Sequence, residues 1–222
     1  MTWEQNIIKA LEEHIGKDGA VNHTLYDSAF FQSHMKYRPI YSFIGDLMAA
    51  HLQPKSVIDW GCGCGFLLER LHGHGITDII GVENSKEVLE FWKKELSPEL
   101  VGKLIVGDIL DHDVGKQYDL AVCMEVGEHV KEKDAGLLVY KVCGSSTKWV
   151  WWSAAQVGQK GTNHINCKPL SFWERIFAEE SDFRPDWEKL YEIKQAMLVN
   201  HALCLGYNWM RDNLLVLKRE EK

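Results

Sequence analysis

The sequence predicts an α/β fold in which helices cover both faces of a mostly parallel sheet. From residue 56 onward, short apolar runs rich in β-branched residues alternate with segments of helical period. Such alternation is typical of parallel strands joined by crossover helices, because those strands are buried on both faces. A glycine-rich turn follows the first run, and 45% of the 222 residues are hydrophobic. We therefore expect residues 1–222 to form a single domain with a sizeable core.

Residues 1–54 are expected to be helical and to form a cap over the ligand-binding cleft. Residues 3–15 carry apolar side chains at helical spacing, and glycines at positions 16 and 19 end the pattern. Residues 41–52 repeat the spacing as far as Pro54, which cannot continue a helix.

The rest of the chain divides into strands and helices by the same criteria. Five strands are expected near residues 56–60, 78–83, 103–106, 119–124 and 148–153, with helices near 65–74, 85–95, 131–142 and 171–178. Two further apolar runs, at 190–193 and 213–218, supply a sixth and a seventh strand.

The turn after the first strand is the clearest ligand-binding signal. Asp59 ends an apolar run, and Gly61, Gly63 and Gly65 follow at alternate positions. Glycines let the backbone turn sharply and approach a ligand with no Cβ in the way. The next helix offers unpaired N–H groups in its first turn. This arrangement predicts a site for a nucleotide cofactor.

Acidic residues also follow the next two strands. Glu83 ends the second strand about twenty residues after the glycines, where a carboxylate can accept both hydroxyls of a ribose. Asp108 follows the third strand. Either acid alone is equally well explained as a solvated strand end, but three acids in this order favour a cofactor site.

The spacing around the glycines resembles the first motif of the class I S-adenosylmethionine (SAM) methyltransferases, hydrophobic-x-D-x-G-x-G-x-G. The resemblance implies SAM as the cofactor and a Rossmann-like fold whose last strand is inserted antiparallel. It implies that Asp59 and the three glycines contact SAM and that Glu83 with Asn84 holds the ribose. It also implies that Asp108 holds the adenine amino group while Ile109 packs on the ring.

A second polar segment follows the fourth predicted strand. Glu125, Glu128 and His129 form an E-x-x-E-H pattern, and in a helical turn these positions share one face. Two adjacent carboxylates resist joint ionisation unless a cation accompanies them. His164 lies in a polar loop after the fifth strand, and therefore at the same edge of the sheet. Such donors suit Mg²⁺ or Mn²⁺, with zinc and iron as further options.

This segment is similar to that of the metal-dependent small-RNA 3′-end 2′-O-methyltransferases, and ubiquinone-pathway O-methyltransferases carry a similar one. The first resemblance implies that Glu125, Glu128, His129 and His164 bind a divalent ion that grips a vicinal diol. Many class I methyltransferases carry such a segment without a metal, and one acid, here Glu125, then contacts SAM. In that case His129 or His164 would be the catalytic base, with Glu128 orienting it.

A wider resemblance covers most of the chain. The segments Tyr26-Asp-x-x-Phe-Phe, Ser153-Ala-Ala, Gly158-Gln-x-Gly-Thr-x-His-x-Asn and Asn213-Leu-Leu are similar to small methyltransferases found with glycan-building enzymes. The loop of that group reads G-Q-G-G-T-G-H, and Lys160 and Asn163 replace two of its glycines here. The resemblance implies a sugar or glycan acceptor and action with, or fusion to, glycosyltransferases.

These features predict a SAM-dependent O-methyltransferase acting on a sugar hydroxyl, one of a vicinal pair, for example in a deoxyhexose such as rhamnose. Methylation of RNA 3′ ends and a non-catalytic SAM-binding module stay open as alternatives. The net charge of −7 argues against broad nucleic-acid binding, and the intact acids argue against a non-catalytic module.

The composition favours a cytoplasmic protein without a membrane span. No apolar stretch approaches the length needed to cross a bilayer, and the first residues lack the basic and apolar regions of a signal peptide. The six cysteines show no C-x-x-C spacing, so reduced thiols are expected rather than a structural zinc site.

Overall fold

Seven strands form one sheet in the order β3-β2-β1-β4-β5-β7-β6. The computed structural model describes residues 26–199 and 207–220. The strands are β1 (Ser56–Trp60), β2 (Asp78–Glu83), β3 (Leu104–Val106), β4 (Tyr118–Met124), β5 (Ser146–Ser153), β6 (Phe183–Pro185) and β7 (Leu214–Arg219). The first five strands pair in parallel, whereas β7 is antiparallel to β5 and β6. The predicted fold class, with its antiparallel last strand, is confirmed.

Helices connect the strands and cover the sheet. They are α1 (Ser28–His34), α2 (Arg38–His51), α3 (Phe66–Gly73), α4 (Val88–Glu95), α5 (Pro98–Val101), α6 (Ala135–Gly144), α7 (Leu170–Glu180), α8 (Trp187–Val199) and α9 (Asn208–Asp212). No helix among the described residues has both the length and the apolarity needed to cross a bilayer.

The central strands are apolar because side chains of both faces enter the core. Val57 and Ile58 of β1 have no exposed surface, although they point to opposite faces of the sheet. In β5, Trp152 is fully buried and packs on Trp173 of α7, with ring centroids 4.7 Å apart. This packing fixes the carboxyl ends of the strands, where the site lies.

The prediction of a strand at residues 190–193 is wrong. These residues lie inside α8, and Leu190, Ile193 and Met197 are buried at the three- and four-residue spacing of a helix. A short apolar run does not distinguish a strand from one face of a helix. The sixth strand is instead β6, an edge strand that ends in Pro185.

The described part of the predicted N-terminal cap consists of α1, a 3₁₀ turn at Met35–Tyr37, and α2. The predicted helix at residues 3–15 lies outside the described residues. The assignment of residues 1–222 to a single domain stays a prediction.

Candidate active site

A cavity of about 710 Å³ opens at the carboxyl edge of the sheet, a volume suited to a small-molecule site. It lies where β1 and β4 are neighbours and the strand order reverses, which is the usual ligand position in such sheets. Eleven of the residues predicted for the site line it: Asp59, Gly61, Gly63, Glu83, Asn84, Asp108, Ile109, Glu125, Glu128, His129 and His164.

The glycine turn after β1 has the left-handed backbone that favours glycine. Gly61, Gly63 and Gly65 have φ values of 77°, 49° and 77°. A Cβ added at Gly63 would meet no atom within 4 Å, and the residue faces the cavity. Its carbonyl accepts a hydrogen bond of 2.9 Å from the Trp92 indole. The Trp92 indole thus fixes the turn on one side, and the other side of the turn is open to the cavity.

Gly65 was predicted to contact the cofactor, but the structure does not place it on the cavity. It is the N-cap of α3, and a Cβ there would lie 2.9 Å from Cδ1 of Leu96. Gly65 therefore serves the packing of the turn against the following layer.

The acids of β2 and β3 are held by backbone amides. The two Glu83 oxygens accept hydrogen bonds from the amides of Gly63 and Ser85, both at 3.0 Å. Burial raises the pKa of Glu83, and these donors partly offset the effect. Asp108 accepts from the Leu110 amide at 2.9 Å and from Asn84 Nδ2 at 3.3 Å. These carboxylates are oriented toward the cavity without a ligand.

Asp59 belongs to β1, two residues before the first glycine of the turn, and is almost fully buried. Burial, followed by the negative charge of Glu83, raises its pKa to about 8. The carboxyl is therefore largely protonated near neutral pH, and a cationic ligand nearby would favour its ionised form.

The other end of the cavity is built by the turn after β4 and the loop after β5. A 3₁₀ turn spans Gly127–His129, and the backbone carbonyl of Glu128 accepts from the amides of Ile165 and Asn166, both at 2.9 Å. A Cβ on Gly161 would overlap the imidazole of His164, so glycine is needed there. These contacts hold the loop against the turn.

Three of the four predicted metal ligands converge. Glu128, His129 and His164 each offer one ligand atom, and these atoms lie within 4.8 Å of one another. His164 Nε2 is 3.8 Å from Oε1 of Glu128, and the two imidazole centroids are 5.1 Å apart. Two imidazoles and one carboxylate form a donor set that suits a divalent transition metal as well as Mg²⁺ or Mn²⁺.

The hydrogen bonds of the two imidazoles determine which nitrogen is free. Nδ1 of His129 lies 3.0 Å from the Asn163 carbonyl, and Nδ1 of His164 lies 3.2 Å from the Gln159 carbonyl. Because a carbonyl can only accept, these contacts place a hydrogen on Nδ1 of both rings, and in the neutral form of such a ring the lone pair is on Nε2. That tautomer is the one a metal-binding or proton-accepting imidazole requires.

The Glu128 carboxylate is the least satisfied group of the site. It is fully buried, and neither oxygen accepts a hydrogen bond of normal geometry. Burial, followed by the charge of Glu125, raises its pKa to about 9. The nearby amides of Glu128 and Ala155 lower it only in part, since neither reaches normal hydrogen-bond geometry with the carboxylate. A buried acid without donors fits a bound cation, which would replace the missing partners.

Glu125 was predicted as a fourth metal ligand, but it does not join this group. Its backbone is left-handed with φ 54° rather than helical, and its carboxylate accepts from Asn213 Nδ2 at 3.1 and 3.3 Å. Gln159 Nε2 donates to the same carboxylate at 3.2 Å. Glu125 therefore has its own partners, and it keeps only its predicted place on the cavity wall.

Tyr26 contacts both halves of the cavity, although the sequence patterns assigned it no role. Its hydroxyl lies 3.2 Å from Nδ1 of His129, and its carbonyl accepts a 2.8 Å hydrogen bond from Ser85 Oγ on the cofactor side. Gln159 and Asn213 were likewise not assigned. All three belong to the segments that resemble glycan-associated methyltransferases, which was the available signal.

Comparison with known proteins agrees with this geometry. Residues 57–143 match the model of a family described as a methyltransferase domain. The ubiquinone biosynthesis O-methyltransferase of Bordetella avium (strain 197N) is 29% identical over 168 residues, which are 72% of this chain and 64% of that protein. The chain thus covers less than two thirds of that relative's length.

Two solved structures share the fold. Magnesium protoporphyrin IX methyltransferase from Synechocystis PCC 6803, with bound SAH, has a TM-score of 0.59 at 15% identity, covering 95% of this chain and 94% of that chain. An amino pentose methyltransferase from Micromonospora echinaspora, with bound SAM, has a TM-score of 0.58 at 12% identity, covering 83% and 92%. The family match falls on the strands and turns that build the cofactor half of the cavity, so residues 57–143 are similar to a methyltransferase domain, and the chain shares the fold of these two methyltransferases.

Proposed function

We propose that the chain transfers a methyl group from SAM to one hydroxyl of a vicinal diol on a sugar, with a divalent ion held by Glu128, His129 and His164. The observation that carries the proposal is the buried Glu128 carboxylate, which has no hydrogen-bond donor and faces two imidazoles with free Nε2 atoms. A ligand set of three leaves positions on an ion for two adjacent hydroxyls.

The choice of an oxygen acceptor and a sugar draws on relatives. The Bordetella avium protein is named an O-methyltransferase, and a protein of the same fold is named an amino pentose methyltransferase. The resemblance to glycan-associated methyltransferases supports the same acceptor class. It also supports our expectation that the chain acts in the cytoplasm beside glycosyltransferases.

The cavity brings the two reactants together. The cofactor turn and the Glu128 cluster line the same cavity, so donor and acceptor can be aligned there, which can supply several kcal/mol of the barrier. A bound divalent ion supplies positive charge that lowers the pKa of a coordinated hydroxyl.

The acceptor of the hydroxyl proton depends on whether an ion is bound. Burial, above all, lowers the pKa of His129, and the neighbouring His164 acts in the same direction, so the His129 imidazole is neutral near pH 7. As the acceptor oxygen bonds to the methyl carbon, the electrons of the broken carbon–sulfur bond stay on sulfur. With an ion bound, both Nε2 lone pairs would serve as ligands and the hydroxyl proton would pass to solvent. Without an ion, an imidazole Nε2 would accept the proton.

A matched pair of substrates tests the diol. Methyl transfer is measured on a glycoside and on its monodeoxy analogue, which lacks the neighbouring hydroxyl. The analogue should lose far more rate than one hydrogen bond would explain, because a buried ligand position stays unfilled. Equal rates on the two compounds would contradict the diol mechanism.

A catechol is a second candidate acceptor, because the Glu128, His129 and His164 cluster does not by itself distinguish it from a sugar. A catechol is also a vicinal diol, so the same cluster could hold it. Adding one to the substrate panel separates the two, and preferential transfer to it would replace the sugar assignment. Transfer to RNA 3′ ends would favour RNA methylation, and SAM binding without transfer to any acceptor class would favour a non-catalytic module.

A further inference from the structure

Three exposed lysines line the acceptor end of the cavity. Lys131 and Lys133 follow the Gly127–His129 turn, and Lys160 lies in the loop after β5. These two segments also supply the Glu128, His129 and His164 cluster. The positive charges therefore lie on the side of the cavity where the acceptor binds, rather than at the cofactor turn.

These lysines are poorly neutralised by the protein itself. Within the described part of the chain, Lys131 and Lys160 form no ion pair, and Lys133 approaches Asp134 only at 3.8 Å. By contrast, nearby Lys168 pairs with Glu132 at 2.6 Å. In a chain of net charge −7, this cluster runs against the overall balance.

Acidic and basic side chains occupy different depths of the cavity. The acids Asp59 and Glu128 are buried at its floor, whereas the three lysines are exposed at its rim. A substrate that extends from floor to rim would place its hydroxyls at the cluster and an anionic group at the lysines. No arginine of the described residues lines the cavity, so the rim offers ammonium point charges, which are an established way of binding phosphate.

We propose that this rim binds a phosphate group of the acceptor, and that the substrate is therefore a phosphorylated sugar. The inference rests on the proposed function and names its substrate class. Lys160 is central to it, because the resembled loop has glycine at this position and the lysine is a feature of this chain. A sugar phosphate and a nucleoside diphosphate sugar both carry the recognised group, and the test distinguishes them.

The test compares three acceptors of one sugar: methyl rhamnoside, rhamnose 1-phosphate and thymidine diphosphate rhamnose. Both phosphorylated compounds should show kcat/KM at least about tenfold above that of the neutral glycoside. Lys131→Gln and Lys160→Gln should each reduce this advantage by up to about fivefold, the size of an exposed charge interaction. Lys55→Gln removes an exposed lysine just before β1, at the opposite edge of the sheet, and should leave the advantage unchanged.

The relative rates of the two phosphorylated compounds identify the source of the phosphate. No advantage over the neutral glycoside, or equal effects of the Lys160 and Lys55 variants, would overturn the inference. A binding measurement tests the phosphate site separately from the proposed methyl transfer. Calorimetry with pyrophosphate measures binding at the lysine rim without any reaction. The parent chain should bind pyrophosphate, and Lys160→Gln should bind it more weakly. If this is observed but no sugar is methylated, the anion site is supported and the sugar assignment is wrong. No pyrophosphate binding would count against the rim site.

Discussion

The two ends of the cavity differ in how completely the protein satisfies its own polar groups. At the cofactor end, the carboxylates of Glu83 and Asp108 already accept backbone amide hydrogens. At the acceptor end, Glu128 is buried with no hydrogen-bond donor, while two imidazoles present free Nε2 atoms to it. The groups of the first end are therefore held by the protein itself, whereas under the proposed function a cation would complete the second. Substitutions at the cofactor end should therefore weaken SAM binding, whereas substitutions at the acceptor end should lower methyl transfer and leave SAM affinity unchanged.

The largest expected effect is the loss of activity on removal of metal. EDTA should lower methyl transfer by roughly a thousandfold, since a bound ion contributes several kcal/mol to the transition state. Mg²⁺ or Mn²⁺ should restore the rate. His164→Ala should reproduce the loss yet keep SAM affinity, with the surface variant His72→Ala as control. Full activity in EDTA would show that the Glu128, His129 and His164 cluster needs no metal for methyl transfer.

Gly63→Val should disable the cofactor end while the chain still folds. The site of the new Cβ is open, so the cost to the fold is the strain of a branched residue at φ 49°, which the Gly75→Val control shares, while the side chain would occupy the cavity. SAM affinity should fall by roughly 100-fold or more. Gly75→Val is the matched control, because Gly75 is also left-handed, with φ 83° and open surroundings, but lies off the cavity. Calorimetry showing normal affinity for Gly63→Val would mean that SAM does not approach this turn.

Glu83→Ala tests the preorganised acid more gently. It removes the predicted acceptor for the ribose hydroxyls and should cost roughly 1–3 kcal/mol of SAM binding. Metal affinity should stay unchanged, because Glu83 is not among the grouped ligands. Unaltered SAM binding would exclude Glu83 from the ribose contact.

The smallest effect is on stability, and its sign depends on metal. The folded-state pKa of Glu128 is about 9, above its ordinary 4.5, so its stabilising contribution is complete below about pH 4.5 and is lost as pH rises through 9. In EDTA at pH 9, Glu128→Gln should therefore raise the free energy of unfolding by about 1 kcal/mol. With saturating metal, the parent chain should instead be more stable than Glu128→Gln, because only the parent chain is stabilised by metal binding.

Denaturant titrations at pH 5 and pH 9 measure this dependence. Glu90→Gln is the control, because Glu90 is exposed and forms a surface ion pair with Lys93. This variant should change the free energy of unfolding little at either pH. Equal pH dependence in Glu128→Gln and the parent would show that Glu128 does not titrate as a buried, unpartnered acid.

The cofactor end was predictable from the sequence because its determinants are local. The glycine turn, Asp59 and Glu83 all belong to one β-turn-α-β stretch, so strand alternation placed them at one edge of the sheet. Gly65 does not line the cavity, and the alternate spacing could not show this, because it does not distinguish glycines that face a ligand from those that allow packing.

The acceptor end depended on contacts that are distant in sequence. The E-x-x-E-H pattern was interpreted as a helical turn, which would have brought Glu125 to the cluster. Asn213, 88 residues away, instead holds the Glu125 carboxylate, and no local pattern contains that contact. The grouping of Glu128 with His164 was predictable only from the order of the strands.

The insertion of β7 between β5 and β6 has a consequence for synthesis of the chain. Ser153 pairs with Leu214, so about 60 residues must be added after β5 before its neighbour exists. At roughly 5–20 residues per second, β5 waits several seconds with an open edge that carries three tryptophans. Asn213 precedes β7 and arrives with it, so the Glu125 wall of the cavity forms only then. A nascent chain stalled before residue 213 should therefore bind chaperones strongly and lack a finished acceptor site.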